Sequence, residues 1–104
     1  MTQIENITLI KKANVYFDGR VTSRAIILKD GTKKTLGIML PGEYEFSTEV
    51  KEEMEIIAGK LEYKLEQEDW KMIEGSGVFY VPGKQSFKLK VYSVTDYCCS
   101  YLNE

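Results

Sequence analysis

The sequence predicts an all-β protein, folded as one antiparallel β-barrel of the jelly-roll type. Apolar and polar residues alternate over short segments such as residues 61–65 and 86–91, which is the pattern of strands with one buried face. Turn residues separate the segments roughly every six to twelve positions, as in sandwiches and barrels. A chain of 104 residues suits one hydrophobic core and is short for a second. We therefore expect a single domain over residues 1–104, with residues 1–12 as an irregular N-terminal extension.

Short apolar runs that end at turn residues predict the individual strands. Asp30-Gly31 is the strongest hairpin signal, and further turns are predicted at Pro41-Gly42, at Gly59-Lys60 and over residues 74–77. Residues 47–53 are expected to be helical or irregular. The predicted strands are residues 15–21, interrupted at Asp18-Gly19, and then 24–28, 35–40, 54–58, 61–65, 69–73, 78–81, 86–91 and 96–102.

Charge and motif content exclude several classes of function. The formal net charge is −2, and the basic residues are scattered apart from Lys11-Lys12 and Lys33-Lys34, so we expect no nucleic acid partner. No apolar run approaches the ~20 residues that span a bilayer, and the N-terminus lacks the features of a signal peptide. No phosphate-binding P-loop, dinucleotide-binding glycine motif or zinc-finger spacing occurs. We expect no membrane partner.

The only two cysteines, Cys98 and Cys99, are adjacent. This spacing strains a mutual disulfide and differs from a metal-binding C-x-x-C pair. Unpaired cysteines fit a reducing compartment, so we expect a cytoplasmic protein. Buried strand cysteines are favoured over a reactive thiol.

Two spaced motifs resemble those of the cupin family. Glu52 and Gly59, with six residues between them, match the second half of the first cupin motif. Residues 77–83, which end in Val-Pro-Gly, match the second motif together with Phe87. The resemblance implies a small cupin-type antiparallel barrel, a fold that usually binds a metal through histidines. This chain has no histidine.

A closer resemblance, over nearly the whole chain, is to the small cupins called pyrimidine/purine nucleoside phosphorylases. The string GIMLPGEYEFST at residues 37–48 is the most specific piece. The resemblance implies an enzyme, a pentosyltransferase that splits purine and pyrimidine nucleosides with phosphate to give the free base and ribose 1-phosphate. It also implies a homodimer. The other matching strings are YFDGRV at 16–21, EEM at 52–54, VPG at 81–83 with Phe87, and TDYCCSYL at 95–102.

Counting from the two motifs places the four cupin ligand positions at Phe46, Thr48, Glu52 and Phe87. One carboxylate and one hydroxyl between two phenyl rings make a poor transition-metal site. We therefore expect no catalytic metal and no cofactor.

Aromatic residues are the candidates for holding the base. We expect Phe46 and Phe87, with Tyr80 or Tyr97, to stack on it. Stacking contributes ~1–3 kcal/mol per base and accepts any base, because every base has a π-face. The alternative is that these rings fill the barrel, as side chains do in small barrels.

Glu52 is the candidate catalytic residue. A carboxyl that faces inward beside two phenyl rings is partly desolvated, which raises its pKa. When ionised, it would bind ribose hydroxyls and stabilise a sugar that becomes positive as the glycosidic bond breaks. When protonated, it would donate to the departing base. The alternative is a solvated side chain within the acidic run of residues 49–55, as we expect for Glu53.

Phosphate requires hydroxyl, backbone N–H or cationic donors. Ser47 and Thr48 are placed to supply hydroxyls, and Arg24, Lys33 and Lys84 are the candidate cations. The alternative for each of the three is a surface cation.

Three functions remain open from the sequence. The first is a metal-free nucleoside phosphorylase, and the second is a non-catalytic small cupin that binds a nucleoside or a sugar. The third is a metal-dependent cupin oxygenase or isomerase, which the ligand positions oppose.

Overall fold

Nine strands and one short 3-10 turn make up the computed structural model, which describes residues 3–102. No α-helix occurs within that range, and the predicted all-β class is confirmed. The 3-10 turn, Phe17–Gly19, follows β2 directly where a strand was expected. The strands are β1 (Thr8–Leu9), β2 (Asn14–Tyr16), β3 (Val21–Ile27), β4 (Lys33–Met39), β5 (Gly42–Ser47), β6 (Lys51–Leu65), β7 (Lys71–Val81), β8 (Ser86–Val91) and β9 (Thr95–Leu102).

All pairings between these nine strands are antiparallel, in the order β1-β3-β4-β9-β6-β8-β5. β2 also pairs with β3, and β7 also pairs with β6. The first half of β6 pairs with β9 and its second half pairs with β8, while β7 runs along both halves. The long β6–β7 hairpin therefore takes part in both walls of a curled antiparallel sheet. One wall contains β9 and the other contains β8.

A β-bulge in the middle of β6 separates the two halves. The register against β7 shifts between Ile56 and Gly59, and the register against β9 shifts between Ile56 and Ala58. Gly59 has φ +144°, and a Cβ at this position would lie 2.4 Å from Thr95 Oγ1. Only glycine fits, because it has no side chain and tolerates positive φ. A bulge bends and twists its strand, which carries β6 from one wall to the other.

Two turns that the sequence predicts lie instead inside long strands. Gly59-Lys60 is part of β6, and residues 74–77 are part of β7. Gly59 is paired with Gly75 across the hairpin. Glycine weakens a strand and so indicates a turn, but the backbone pairing of β6 with β7 keeps both segments extended.

The predicted helical or irregular segment, residues 47–53, is mostly extended. β5 ends at Ser47 and β6 begins at Lys51, so residues 48–50 alone lie outside strands, and none of them is helical. The Asp30-Gly31 hairpin is confirmed, with the Gly31 N–H donating to Leu28 O at 2.9 Å.

The N-terminal region is partly ordered as strand. β1 and β2 both pair with β3, and β1 lies within the predicted irregular extension, residues 1–12. Residues 1 and 2 of that extension lie outside the described residues, as do residues 103 and 104.

The core lies on the concave side of the sheet. Because side chains alternate across a strand, Met54 and Ile56 of β6 are buried there while Glu55 is exposed. Residues 3–102 contain no helix of the length and apolarity needed to cross a membrane. The buried apolar cluster consists of Val21, Met39, Tyr44, Met54, Ile56, Leu61, Phe79, Val81, Phe87, Leu89, Val91, Tyr97 and Cys99.

The substitution Gly59→Ala is expected to destabilise the protein by about 2–3 kcal/mol, because the new methyl group would overlap Thr95. Gly75→Ala is the matched control, since Gly75 also has positive φ but has nothing within 4 Å of its Cβ position; it should cost about 1 kcal/mol. Urea unfolding monitored by circular dichroism measures both values. Equal losses for the two variants would contradict the role given to the Thr95 contact.

Candidate functional site

A cavity of about 210 Å³ opens on the concave side of the sheet. The pairing of β6 with β9 sets Glu52 opposite Tyr101 and Met54 opposite Cys99, so these four side chains share the inner face. The residues that line the cavity combine aromatic rings, hydroxyl groups, two methionines, one thiol and one carboxyl. They are Tyr16, Ser23, Thr35, Met39, Phe46, Ser47, Glu52, Met54, Phe87, Tyr97, Cys99 and Tyr101.

Phe46 and Phe87 form the aromatic wall of the cavity. They are directly paired between β5 and β8, with ring centroids 5.8 Å apart and planes inclined by 27°. Phe46 is half-buried whereas Phe87 is buried. The rings of Tyr16 and Phe17 lie nearly perpendicular to the Phe46 ring, with centroids 6.1 and 5.5 Å from its centroid. An apolar face with an accessible ring therefore lies beside the carboxyl.

Glu52 is half-buried and faces the cavity. Partial burial raises the pKa of this carboxyl, and a hydrogen bond from Cys99 opposes the rise. The Cys99 Sγ lies 3.4 Å from Glu52 Oε1. Two opposing effects thus act on the only carboxyl among the cavity-lining side chains of residues 3–102.

A chain of donors leads away from Glu52 along β9 and on to β4. The Tyr101 hydroxyl interacts with the Cys99 thiol, and the Tyr101 oxygen lies 3.5 Å from Thr35 Oγ1. Burial raises the pKa of the Cys99 thiol above its usual range and that of Tyr101 to about 12. Both groups therefore keep their protons at neutral pH and act as donors.

A second polar group of the cavity is the hydroxyl of Tyr97, which lies on β9. This hydroxyl donates to Thr22 O at 3.4 Å and interacts with the Ser23 side chain. Ser23 Oγ accepts from Asn14 Nδ2 at 3.2 Å. Burial raises the pKa of the Tyr97 hydroxyl well above its usual range, so this group is also a neutral donor.

Five of the predicted site residues meet at this cavity. The aromatic and acidic positions agree with the inward face that alternation assigns to them, and Ser47 lies at the end of β5 with its oxygen 3.3 Å from Ser86 Oγ. The five are Phe46, Ser47, Glu52, Phe87 and Tyr97.

Thr48 does not line the cavity, although it was predicted as a substrate ligand. It is buried, and its hydroxyl donates to Pro82 O at 2.7 Å and accepts from the Gln85 N–H at 3.1 Å. These bonds tie the loop after β5 to the turn before β8. The Thr48 hydroxyl therefore stabilises the contact between these two connections.

Tyr80 lies on the opposite face of β7 from the cavity. Its neighbours Phe79 and Val81 are buried in the core, so alternation turns Tyr80 outward, where half of its surface is exposed. The Lys51 ammonium lies 5.5 Å from the centre of its ring. Tyr80 therefore lies outside this cavity.

The three predicted phosphate-binding cations do not line the cavity. Arg24 alternates outward from Ser23, and its Nε donates to Lys11 O at 3.0 Å. Lys84 is exposed in the turn before β8 with φ +58°. Lys33 is exposed at the start of β4, two residues before the cavity residue Thr35 and therefore on the same face. Of the three, Lys33 is the one that shares a strand face with a cavity-lining residue.

Sequence reasoning missed seven of the lining residues. Five of them lie on β9 or on its partner strands β4 and β6. The period of two along a strand could have indicated Cys99 and Tyr101 from Tyr97, and Met54 from Glu52. No sequence pattern indicates the remainder, because they reach the cavity through pairings between distant strands. The missed residues are Tyr16, Ser23, Thr35, Met39, Met54, Cys99 and Tyr101.

The residues at the cupin ligand positions do not fit a metal. Phe46 and Phe87 stack on each other, and the Thr48 hydroxyl is bonded to backbone groups. Within residues 3–102, no three side chains of cysteine, aspartate or glutamate lie together as metal ligands would. Glu52 with a protonated thiol beside it is a hydrogen-bonded pair and not a ligand set.

Residues 11–101 match the sequence model of the pyrimidine/purine nucleoside phosphorylase family. The chain belongs to this family. Proteins with this name from Chlorobium chlorochromatii and Leptospira interrogans are 58% and 56% identical to it. The two matches each cover 98% of this chain, and they cover 99% and 97% of the respective relatives. The resemblance found in the sequence is confirmed.

Solved structures confirm the cupin fold. A protein of unknown function from Acinetobacter superimposes with a TM-score of 0.92 at 41% identity, covering 96% of this chain and 98% of its own. The cupin domain of a Schizosaccharomyces pombe protein superimposes with a TM-score of 0.65 at 15% identity, covering 86% and 64%. The second likeness concerns the fold alone.

Proposed function

We propose that this protein catalyses the phosphorolysis of both purine and pyrimidine nucleosides, releasing the free base and ribose 1-phosphate without a metal. Its relatives carry the name pyrimidine/purine nucleoside phosphorylase. The observation that carries the proposal is the half-buried Glu52 carboxyl beside the Phe46–Phe87 wall in one cavity. The aromatic wall suits a nucleobase, and the carboxyl suits the sugar to which that base is attached.

The aromatic wall supports acceptance of both base classes. A ring that stacks on a base contributes ~1–3 kcal/mol whatever the base is, since stacking uses the π-face and not the pattern of hydrogen-bonding groups. Phe46 is the partly accessible ring, and Phe87 behind it fixes its orientation. The Tyr97 side chain, on another strand, lines the same cavity and would contact the ribose or the base.

In the reaction a phosphate oxygen bonds to the anomeric carbon while the carbon–nitrogen bond to the base breaks. The electron pair leaves with the base, which takes up a proton. If Glu52 is ionised, it stabilises the positive charge that develops on the sugar, and the proton comes from the phosphate. If Glu52 is protonated, it gives its own proton to the base and regains one from the phosphate.

Phosphate would be held by hydroxyl groups and by a cation at the mouth. Ser47 and Thr35 line the cavity, and Lys33 shares the face of β4 with Thr35. A lysine at this place offers a mobile ammonium that can follow a phosphate. We retain Lys33 as the proposed phosphate cation in preference to Arg24 and Lys84.

A second candidate function is a non-catalytic cupin that binds a nucleoside or a sugar. One observation favours it: among residues 3–102, no lysine or arginine lines the cavity. A site of aromatic rings and neutral hydroxyls beside one carboxyl is well suited to a neutral ligand.

Release of base from inosine and from uridine, with and without phosphate, tests the two candidates. We expect release that requires phosphate and is accompanied by ribose 1-phosphate, measured by chromatography. Glu52→Gln is expected to lower kcat/KM by about 10²–10⁴-fold. The control is Glu53→Gln, an adjacent carboxyl of β6 that does not line the cavity, with activity near that of the unchanged protein. Nucleoside binding with no release from any nucleoside would establish the binding module instead.

Lys33→Ala is expected to raise the KM for phosphate by about tenfold, with a smaller change in the KM for the nucleoside, because one cation near a phosphate is removed. Lys34→Ala is the matched control, since Lys34 is the next residue and alternates to the other face of β4. Initial rates measured over a range of phosphate concentrations give the KM for phosphate of each variant. Equal phosphate KM values in the two variants would remove Lys33 from the site.

We expect the active form to be a cytoplasmic homodimer. Leu9 and Val15, on the outer strands β1 and β2, are 53% and 62% exposed, which suits an edge that a second copy covers. The free thiols of Cys98 and Cys99 suit a reducing compartment. Sedimentation equilibrium should give twice the mass of one 12.0 kDa chain, and a mass of one chain would contradict the dimer.

A further inference from the structure

The Cys99 thiol and the Tyr101 hydroxyl line the same cavity as Glu52, and the proposed function does not use either. Cys99 is 5% exposed and therefore buried, and its sulfur lies within hydrogen-bond distance of Glu52 Oε1. Its neighbour in the chain, Cys98, is equally buried but lies on the other face of β9 and outside the cavity. One of two adjacent and chemically identical side chains thus contacts the proposed catalytic carboxyl.

One line of polar groups leads to the carboxyl. Thr35 Oγ1 lies next to the Tyr101 oxygen, Tyr101 interacts with Cys99, and Cys99 donates to Glu52 Oε1. Hydrogen bonds in a chain polarise one another and strengthen the last bond. A carboxyl oxygen that accepts such a bond is stabilised in its ionised form. Glu52 Oε2 has no partner assigned within this chain of donors and is left for the substrate.

No cation competes for this role among the described residues that line the cavity. The titratable groups facing Glu52 are Cys99, Tyr101 and Tyr97 from β9 and Tyr16 from β2, and the strand on its other side, β7, presents the apolar Val81. Burial keeps the β9 groups protonated. The negative charge of Glu52 is therefore supported by neutral donors and not by an ion pair.

We propose that Cys99 is a positioning residue, which, with Tyr101 behind it, holds Glu52 as a carboxylate with one oxygen fixed and the other directed to the ribose. This inference rests on the proposed function, and of the two roles open to Glu52 it selects the ionised one. The carboxylate stabilises the developing positive charge on the sugar, and the proton that the departing base gains comes from the phosphate.

The pKa of Glu52 can be measured directly by ¹³C NMR on protein labelled in its glutamate carboxyls, with the signal assigned by its loss in Glu52→Gln. Removing the thiol donor should raise this pKa in Cys99→Ala, and a smaller rise is expected in Tyr101→Phe. Cys99→Ser keeps a donor and should restore a value near that of the unchanged protein. Cys98→Ala is the matched control and should leave the pKa unchanged.

The pH profile of kcat/KM provides a second measurement. Because the ionised form is the active one, a raised pKa moves the acidic limb of the profile to higher pH in Cys99→Ala. At neutral pH we expect a loss of about tenfold, the size expected for a hydrogen bond to a charged group. Cys98→Ala should retain full activity.

Several outcomes would overturn the inference. An unchanged or lowered Glu52 pKa in Cys99→Ala would show that the thiol does not support the carboxylate. An alkaline limb that moves, with higher activity at neutral pH, would show that the protonated form is active. Should Cys99→Ala fail to fold, Cys99→Val serves in its place, because valine fills a similar volume and suits a strand. The NMR titration needs no turnover. It therefore tests whether Cys99 lowers the pKa of Glu52 even if the protein proves not to be a phosphorylase.

Discussion

The structure depends on one strand that serves two walls. β6 leaves β9 and joins β8 at the bulge near Gly59, where the absence of a side chain lets the backbone approach Thr95. Without the bend, the Phe46–Phe87 pair on one wall and Glu52 on the other would not face a common cavity. The close backbone approach, a matter of sterics and not of attraction, therefore controls the geometry of the site.

The chemistry of the cavity is governed by the balance of forces on Glu52. Desolvation disfavours its charge, while a donor chain that ends in a thiol favours it. Neutral donors with high pKa values hold the carboxyl without neutralising it. In the reaction that we propose, its charge therefore remains available to a sugar that becomes positive. An arginine in the place of Cys99 would bind the carboxylate more strongly. Its positive charge would weaken the electrostatic attraction between the carboxylate and the substrate.

Aromatic rings occupy two positions that hold metal ligands in other cupins. In the cupin arrangement the ligand positions converge on one point of the barrel interior, and Phe46 and Phe87 occupy that point as a stacked pair. The same convergence that serves metal coordination serves a stacking surface, because both need side chains from different strands at one place. Thr48, which shares the ligand register, has become part of the loop that connects the two walls.

Alternation and turn chemistry in the sequence determined the fold class, the Asp30-Gly31 hairpin and the inward direction of Phe87, because these are properties of a single strand or turn. Glu52 was indicated as a site residue only by the resemblance to the cupin motif. The order of strands, and with it the place of Cys99 beside Glu52, was decided only by the tertiary structure. Gly59 illustrates the reason: local preference favours a turn, and pairing with β7 and β9 overrides it. Thr48 illustrates it again, since hydrogen bonds to backbone groups of a distant turn, which are not visible within one segment, keep its hydroxyl out of the cavity.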